Sequence, residues 1–157
     1  WGKNWTYAHN GQLKGYQSLD TGRFRAVGQT DSEKAFCWIL NQLEKRYQRT
    51  PSNWPAVFRF IAILADQLRH KGVFNMLLSD GRFVMAYCST NLHWITRKAP
   101  FGKAKLLDQD IEIDFQQHTK ADDIVSVIST LPLTGNESWQ KIPVGEFVLF
   151  DRGLRIL

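Results

Sequence analysis

Two adjacent helical patterns, followed by a change of period at Val73, constrain the fold of this chain more than any other feature. Residues Asp31–Tyr47 carry apolar side chains at the i, i+3, i+4 and i+7 spacing of an amphipathic helix, and a second such pattern runs from Pro55 to about Lys71. The runs VFNMLLS and RFVMAYC that follow predict strands. Consecutive helices between sets of strands, without regular βαβ alternation, predict an α+β fold.

Residues at the ends of these patterns support the same boundaries. Thr30 with Glu33 three residues later predicts a capping box at the start of the first helix. Pro55 suits the first turn of the second helix, and Gly72 fits the position just after its end. Hairpin turns are predicted at residues 79–81 and 151–153, and further strands at LHWIT (92–96), DIVSVIST (123–130), EFVLF (146–150) and GLRIL (153–157).

Composition narrows the class of protein. With 157 residues, 43% of them hydrophobic and 22% charged, the chain predicts one globular domain over residues 1–157. Its formal charge of +5 comes without the basic stripe and interleaved aromatic side chains of a nucleic-acid surface, so no nucleic-acid partner is expected. The apolar runs are too short for a membrane span, and no membrane partner is expected.

Neither the cysteines nor the histidines form a pattern typical of metal binding. Cys37 and Cys88 make no disulfide framework, which predicts a reducing, cytoplasmic location. The histidines lie singly along the chain, so no zinc site is expected; they are His9, His70, His93 and His118.

Two polar clusters are candidates for function. In YAHNGQL, Asn10-Gly11 is either a tight turn or a pair of convergent donors, the Asn10 side-chain amide and the Gly11 backbone N–H, suited to an oxyanion hole. In GQTDSEKA, the polar residues either cap the first helix or place a surplus carboxylate, Asp31, where it can receive a substrate ammonium group.

These two clusters, in order, resemble the paired signature of class II glutamine amidotransferases, most closely the bacterial YafJ-like group. The segment VISTLPLTGNESWQKIPVGEFVLF (127–150) is similar to the end of that domain, with its W-x-x-[IV]-P-x-G turn and final hairpin. The resemblance covers nearly the whole chain. It implies an N-terminal-nucleophile (Ntn) hydrolase fold, a four-layer αββα sandwich, of which this chain would be the C-terminal portion.

The resemblance also implies roles by position. Asn10 and Gly11 match the oxyanion hole, and Asp31 matches the carboxylate that binds the α-ammonium group of L-glutamine, while His9 is given no direct catalytic role. The reaction implied is glutaminase hydrolysis through an N-terminal cysteine thioester, without metal or organic cofactor, and with the ammonia passed to an unknown acceptor such as a partner synthetase.

One departure from the family is large. The family's nucleophilic cysteine and its arginine-bearing segment lie upstream, whereas this sequence opens on Trp1. We therefore expect residues to precede Trp1 in the natural protein, and we expect the chain to be inactive alone. Cys37 and Cys88 are expected to be packed, inert thiols. Two alternatives stay open: an amidohydrolase acting on another γ-glutamyl compound, and a non-catalytic ligand-binding or interaction domain of the same fold.

Overall fold

The structure, a computed structural model, describes residues 1–109, 111–115 and 119–157. His118 lies outside the described residues. The described residues form a mixed α and β fold with two α-helices and ten β-strands. Within these ranges, no helix is both long enough and apolar enough to cross a bilayer.

Both predicted helices are confirmed. Helix α1 spans Asp31–Arg46, and the Thr30 side chain accepts a hydrogen bond from the Glu33 N–H at 3.2 Å, as an N-cap residue should. Helix α2 spans Trp54–Arg69 with Pro55 in its first turn. The prediction that Gly72 directly follows the end of α2 was wrong. Helix α2 ends at Arg69, and Gly72 is the first residue of the next strand.

The strands form three antiparallel sheets. A five-stranded sheet has the order β1-β2-β3-β9-β10, a three-stranded sheet has the order β7-β4-β8, and β5 pairs with β6. The strands of the first sheet are β1 Thr6–Leu13, β2 Gly72–Ser79, β3 Phe83–Tyr87, β9 Phe147–Asp151 and β10 Leu154–Arg155. The others are β4 Leu92–Lys98, β5 Lys103–Lys105, β6 Glu112–Asp114, β7 Ile124–Ser129 and β8 Gln140–Ile142.

The five-stranded sheet lies between two apolar cores. On one face, alternate side chains such as Phe74, Met76 and Met85 pack against both helices. On the other face, Val148 and Phe150 belong to a second core with side chains of the three-stranded sheet. The described residues thus form three layers, one of helices and two of sheet, because β2, β3 and β9 contribute side chains to the apolar cores on both faces of the central sheet. The second helical layer of a four-layer sandwich does not occur among them, and the Ntn assignment stays a prediction.

The predicted hairpin between β2 and β3 is confirmed and is held by Asp80. This buried carboxylate accepts hydrogen bonds from the backbone N–H groups of Arg82 at 3.0 Å and Phe83 at 2.8 Å, and pairs with Lys3 at 2.5 Å. Burial works against ionisation, but the hydrogen bonds from Lys3 and from the two backbone groups outweigh it and lower the pKa of Asp80.

We expect Asp80→Asn to destabilise the protein at pH 7 but not in strong acid. The carboxyl group has a lower pKa when folded than its ordinary value of 3.8, so its contribution is present above that value and is lost as the pH falls through the folded pKa. Urea unfolding at pH 7 and at about pH 2 measures this. A constant difference between wild type and Asp80→Asn across that range would contradict it.

Candidate functional site

Asn10 and Gly11 lie inside strand β1 and not in a turn, which rejects the tight-turn interpretation. The strand continues to Leu13, and in its antiparallel pairing with β2, Asn10 lies opposite Asn75 and Gly11 opposite Phe74. Strand β1 is the first strand of its sheet, and the Asn10 side chain is exposed. Among the described strands β1 thus lies at the edge of the sheet, where an exposed amide group can meet a ligand.

Close packing of two strands explains why residue 11 is glycine. The Gly11 φ of +152° lies in the region that favours glycine, and a Cβ atom there would lie 2.6 Å from the carbonyl carbon of Val73 and 2.9 Å from His9 Nε2. Its backbone N–H is therefore not shielded by a side chain of its own.

The start of helix α1 is tied to the end of β1 through Asp31. One carboxylate oxygen, Oδ2, accepts a hydrogen bond from the Leu13 N–H at 2.7 Å, and Oδ1 accepts one from the Ser32 N–H at 2.8 Å. Among the described residues no cation pairs with this carboxylate. Because a carboxylate has about four acceptor positions, Asp31 keeps capacity and charge for an external ammonium group.

A second link between the same elements runs through His9. Its Nδ1 lies 2.8 Å from the Ser32 hydroxyl and its Nε2 lies 3.1 Å from the Val73 carbonyl oxygen. A carbonyl only accepts, so Nε2 carries a proton, and in the neutral ring Nδ1 accepts from the Ser32 hydroxyl. His9 therefore connects β1 to β2 and to the residue beside Asp31, which fits a supporting role.

The negative charge of Asp31 also acts on Tyr7. The Tyr7 hydroxyl is buried and has no hydrogen-bond partner among the described residues. Burial, with a smaller contribution from the charge of Asp31, raises the pKa of Tyr7 far above its ordinary value. Tyr7 therefore stays a neutral phenol near pH 7.

Glu33, predicted to complete a capping box, instead holds the loop before α1. Its carboxylate accepts hydrogen bonds from the backbone N–H groups of Val27 at 2.6 Å and Gly28 at 2.7 Å. Beside this loop opens a cavity of about 390 Å³ that is lined by Tyr16, Gln17, Ala26, Gly28, Gln29, Thr30 and Lys34. Asn10, Gly11 and Asp31 do not line it, so it adjoins the candidate site without enclosing it.

The two thiols are unsuited to nucleophilic attack. Cys37 and Cys88 are both buried and free, and burial raises the pKa of each thiol. Because the thiolate is the reactive form, a raised pKa lowers reactivity near pH 7.

Sequence reasoning missed Asn75, which is buried opposite Asn10. Its side-chain Nδ2 lies 3.3 Å from the Asn10 carbonyl oxygen. One signal could have identified it, since Asn75 is the single amide in the otherwise apolar run VFNMLL. A polar residue inside a buried strand needs partners, and one partner of Asn75, the Asn10 carbonyl oxygen, belongs to the candidate site.

The exposed Asn10 amide and the bare Gly11 N–H thus lie on β1, and the Asp31 carboxylate, which pairs with no cation among the described residues, is tied to the same strand. The family model "Glutamine amidotransferases class-II" matches residues 1–157. The chain belongs to the class II glutamine amidotransferases.

Particular relatives agree with this family. The chain is 71% identical over 157 residues to the Escherichia coli (strain K12) protein named "Putative glutamine amidotransferase YafJ", covering all of this chain and 62% of that protein. It is 45% identical to a Haemophilus influenzae (strain ATCC 51907 / DSM 11121 / KW20 / Rd) protein named "Putative glutamine amidotransferase", covering 99% of this chain and 53% of that one. The chain thus spans between half and two thirds of the length of these relatives.

A solved structure gives the same result for the fold. The crystal structure of a predicted glutamine amidotransferase from Pseudomonas aeruginosa PA01 matches with a TM-score of 0.87 and 44% identity, over 99% of this chain and 61% of that chain. The resemblance inferred from the sequence motifs is confirmed at the level of the family.

Proposed function

We propose that the chain supplies the oxyanion hole and the substrate clamp of a glutaminase site that hydrolyses the side-chain amide of L-glutamine. The observation that carries this proposal is the hydrogen bond from the Leu13 N–H to Asp31, which ties the carboxylate to the strand of Asn10 and Gly11. In this proposal Asp31 binds the α-ammonium group, while the Asn10 amide and the Gly11 N–H bind the amide oxygen.

The proposed reaction uses a nucleophile from outside these 157 residues, because the buried Cys37 and Cys88 are unsuited to the task. The thiolate of an N-terminal cysteine attacks the side-chain amide carbon, and the cysteine's own α-amino group exchanges the protons. The carbonyl π electrons move to oxygen, and Asn10 and Gly11 stabilise that oxyanion. Collapse breaks the C–N bond and releases ammonia, and water then hydrolyses the γ-glutamyl thioester to glutamate and free thiol.

The same proposal extends to the complete protein. The three described layers would form part of an αββα Ntn sandwich, and the released ammonia would pass to an acceptor such as a partner synthetase. No step in this mechanism requires a metal or an organic cofactor.

The experiment that tests this function uses the complete natural protein. We expect it to release glutamate and ammonia from glutamine, and to be labelled covalently by a diazoketone analogue of glutamine on a cysteine at its mature N-terminus. Hydrolysis confined to other γ-glutamyl compounds would replace the substrate. Glutamine binding without any hydrolysis would favour a non-catalytic binding domain.

We expect Asp31→Asn to raise the KM for glutamine about 10- to 100-fold with little change in kcat. The substitution keeps an oxygen acceptor for the Leu13 N–H but removes the charge, and a hydrogen bond to a charged group contributes about 1.5–3 kcal/mol. The ammonium contact exists in both the ground and transition states, so its loss appears in KM. Steady-state kinetics measures both constants.

The matched control is Glu44→Gln, which removes one negative charge at the other end of α1, where Glu44 pairs with Arg23. It should leave KM unchanged. A KM for Asp31→Asn equal to that of the control would reject the ammonium-binding role.

A further inference from the structure

Asn75 is a buried amide in the middle of the apolar strand β2. The residue is 4% exposed to solvent, and its neighbours Phe74 and Met76 are fully buried. Burying an amide without partners is costly, so its hydrogen bonds decide what it does. The side chain makes four of them, all to groups of β1 or of the residues that follow β3.

The direction of this amide is fixed by its partners. Its Oδ1 accepts hydrogen bonds from the backbone N–H groups of Ser89 at 3.0 Å and Thr90 at 3.1 Å. Backbone N–H groups can only donate, so the oxygen must face them and the NH₂ group must face the other way. Nδ2 therefore donates to the Asn10 carbonyl oxygen at 3.3 Å and to the Thr90 hydroxyl at 2.8 Å.

The hydrogen bond to Asn10 has a consequence for Gly11, because the Asn10 carbonyl and the Gly11 N–H belong to one planar peptide unit. In a trans peptide these two groups point in opposite directions. The carbonyl faces Asn75 on β2, so the Gly11 N–H faces away from β2, toward the side of β1 on which no described strand pairs with it. A contact that fixes the orientation of the Asn10 carbonyl therefore also fixes the orientation of the Gly11 N–H.

The segment after β3 anchors the amide from the other side. The Ser89 hydroxyl oxygen accepts a hydrogen bond from the Phe74 N–H at 2.6 Å, so residues 74 and 75 are both tied to Ser89 and Thr90. In the part of the chain that the structure describes, β1 has one neighbour in its sheet, β2. The contact from Asn75 therefore connects an edge strand to a buried, multiply bonded group.

We propose that Asn75 is a positioning residue, which orients the Asn10–Gly11 peptide so that the Gly11 N–H is held at the position where an oxyanion forms. This inference rests on the proposed glutaminase function. Asn75 does not touch the substrate and acts through the peptide. Its loss therefore lowers kcat and leaves substrate binding nearly unchanged, since small displacements of a catalytic group cost rate.

The decisive variant is Asn75→Asp, which has the same shape but places an oxygen against the Asn10 carbonyl oxygen in place of a donor. In the complete natural protein we expect kcat for glutamine to fall about 10- to 100-fold, with KM within about twofold of wild type. The matched control is Asn41→Asp, because Asn41 is also a buried amide, 3% exposed, whose Nδ2 donates to a backbone carbonyl, that of Asp20 at 2.8 Å.

The control separates positioning from general destabilisation. Both variants lose one buried amide donor, but only Asn75→Asp should lose kcat when the two are compared below their melting temperatures. Equal kcat values for Asn75→Asp and wild type, or an equal loss in Asn41→Asp, would overturn the proposal. A rise confined to KM would overturn it as well.

A second variant decides the matter if Asn75→Asp does not fold. Thr90→Val removes the hydroxyl that accepts from Asn75 Nδ2, and Thr90 is exposed, so the fold tolerates the change. We expect a several-fold fall in kcat with KM unchanged, and a wild-type kcat would overturn the proposal.

The glutaminase activity of the wild-type protein is measured first. Its absence would reject the proposed function itself, whereas wild-type activity with unaffected variants would reject the positioning role alone.

Discussion

Replacing Asn10 with alanine in the complete protein is expected to lower kcat for glutamine about 100- to 1000-fold, with KM nearly unchanged. The side chain is exposed on β1, so its removal should not disturb the core. Losing one oxyanion-hole donor typically costs this much, because the donor is aligned before charge develops on the oxygen. Steady-state kinetics with direct measurement of ammonia tests it, since kcat and kcat/KM should fall by similar factors.

The control for this variant is Gln12→Ala. Gln12 is also an exposed amide on β1, two residues along the same face, and lies opposite Val73 in the register with β2. It should retain wild-type kcat. If Asn10→Ala changed only KM, or if both variants lost kcat equally, the Asn10 side chain would not be an oxyanion donor.

The helices could be predicted from sequence because their signals are local. The apolar spacing and the N-cap at Thr30 placed the start of α1 at Asp31, as observed. The place of Gly72 could not be predicted in the same way. Glycine just after a helix is a common ending, but here the chain enters β2 at Gly72 and packs against Gln12 of β1, a contact between distant parts of the chain.

The same limit applies to β1. Asn-Gly is a strong turn signal on its own, and only pairing with β2, about 65 residues later, makes this segment a strand through Leu13. The short strands β5 and β6, KAK and EID, hold one apolar residue each, which is too few for a periodic signal, and they were not predicted. These three strands form because they pair with other segments of the chain, and the local sequence alone does not indicate that pairing.

The candidate site was predicted in its residues but not in its geometry. The sequence motifs and the family resemblance identified Asn10, Gly11 and Asp31. Nothing in their spacing indicated that Leu13 would bring Asp31 to β1, or that Asn75 would hold the Asn10 carbonyl. Both contacts join segments that are distant in sequence, so a local pattern carries no information about them. The catalytic roles of all three residues stay predictions.

Gly11→Ala is expected to damage both the stability and the activity of the protein. A Cβ atom at this position would lie 2.6 Å from the Val73 carbonyl carbon and 2.9 Å from His9 Nε2, at a φ of +152°. Backbone strain and overpacking each cost about 1–3 kcal/mol, so we expect a loss of about 2–6 kcal/mol in the free energy of unfolding. Denaturant unfolding of the complete protein measures this loss.

The neighbours that such a Cβ would meet explain why activity should fall further than stability alone requires. One is the backbone of β2, which cannot move without disturbing the core, so β1 must shift instead. The other is the imidazole that contacts Ser32 beside Asp31. Moving β1 therefore displaces the Gly11 N–H and the link to Asp31 together, and we expect the folded fraction to lose at least about 100-fold in kcat.

Gly15→Ala separates strain from displacement. Gly15 has a φ of +62°, and a Cβ atom there would have no heavy atom within 4 Å. This variant should lose only about 1 kcal/mol of stability and keep the wild-type kcat. If Gly11→Ala behaved like Gly15→Ala in both measurements, then β1 would tolerate a side chain where the two strands meet. In that case the glycine at position 11 would not be required for the close approach that this site depends on.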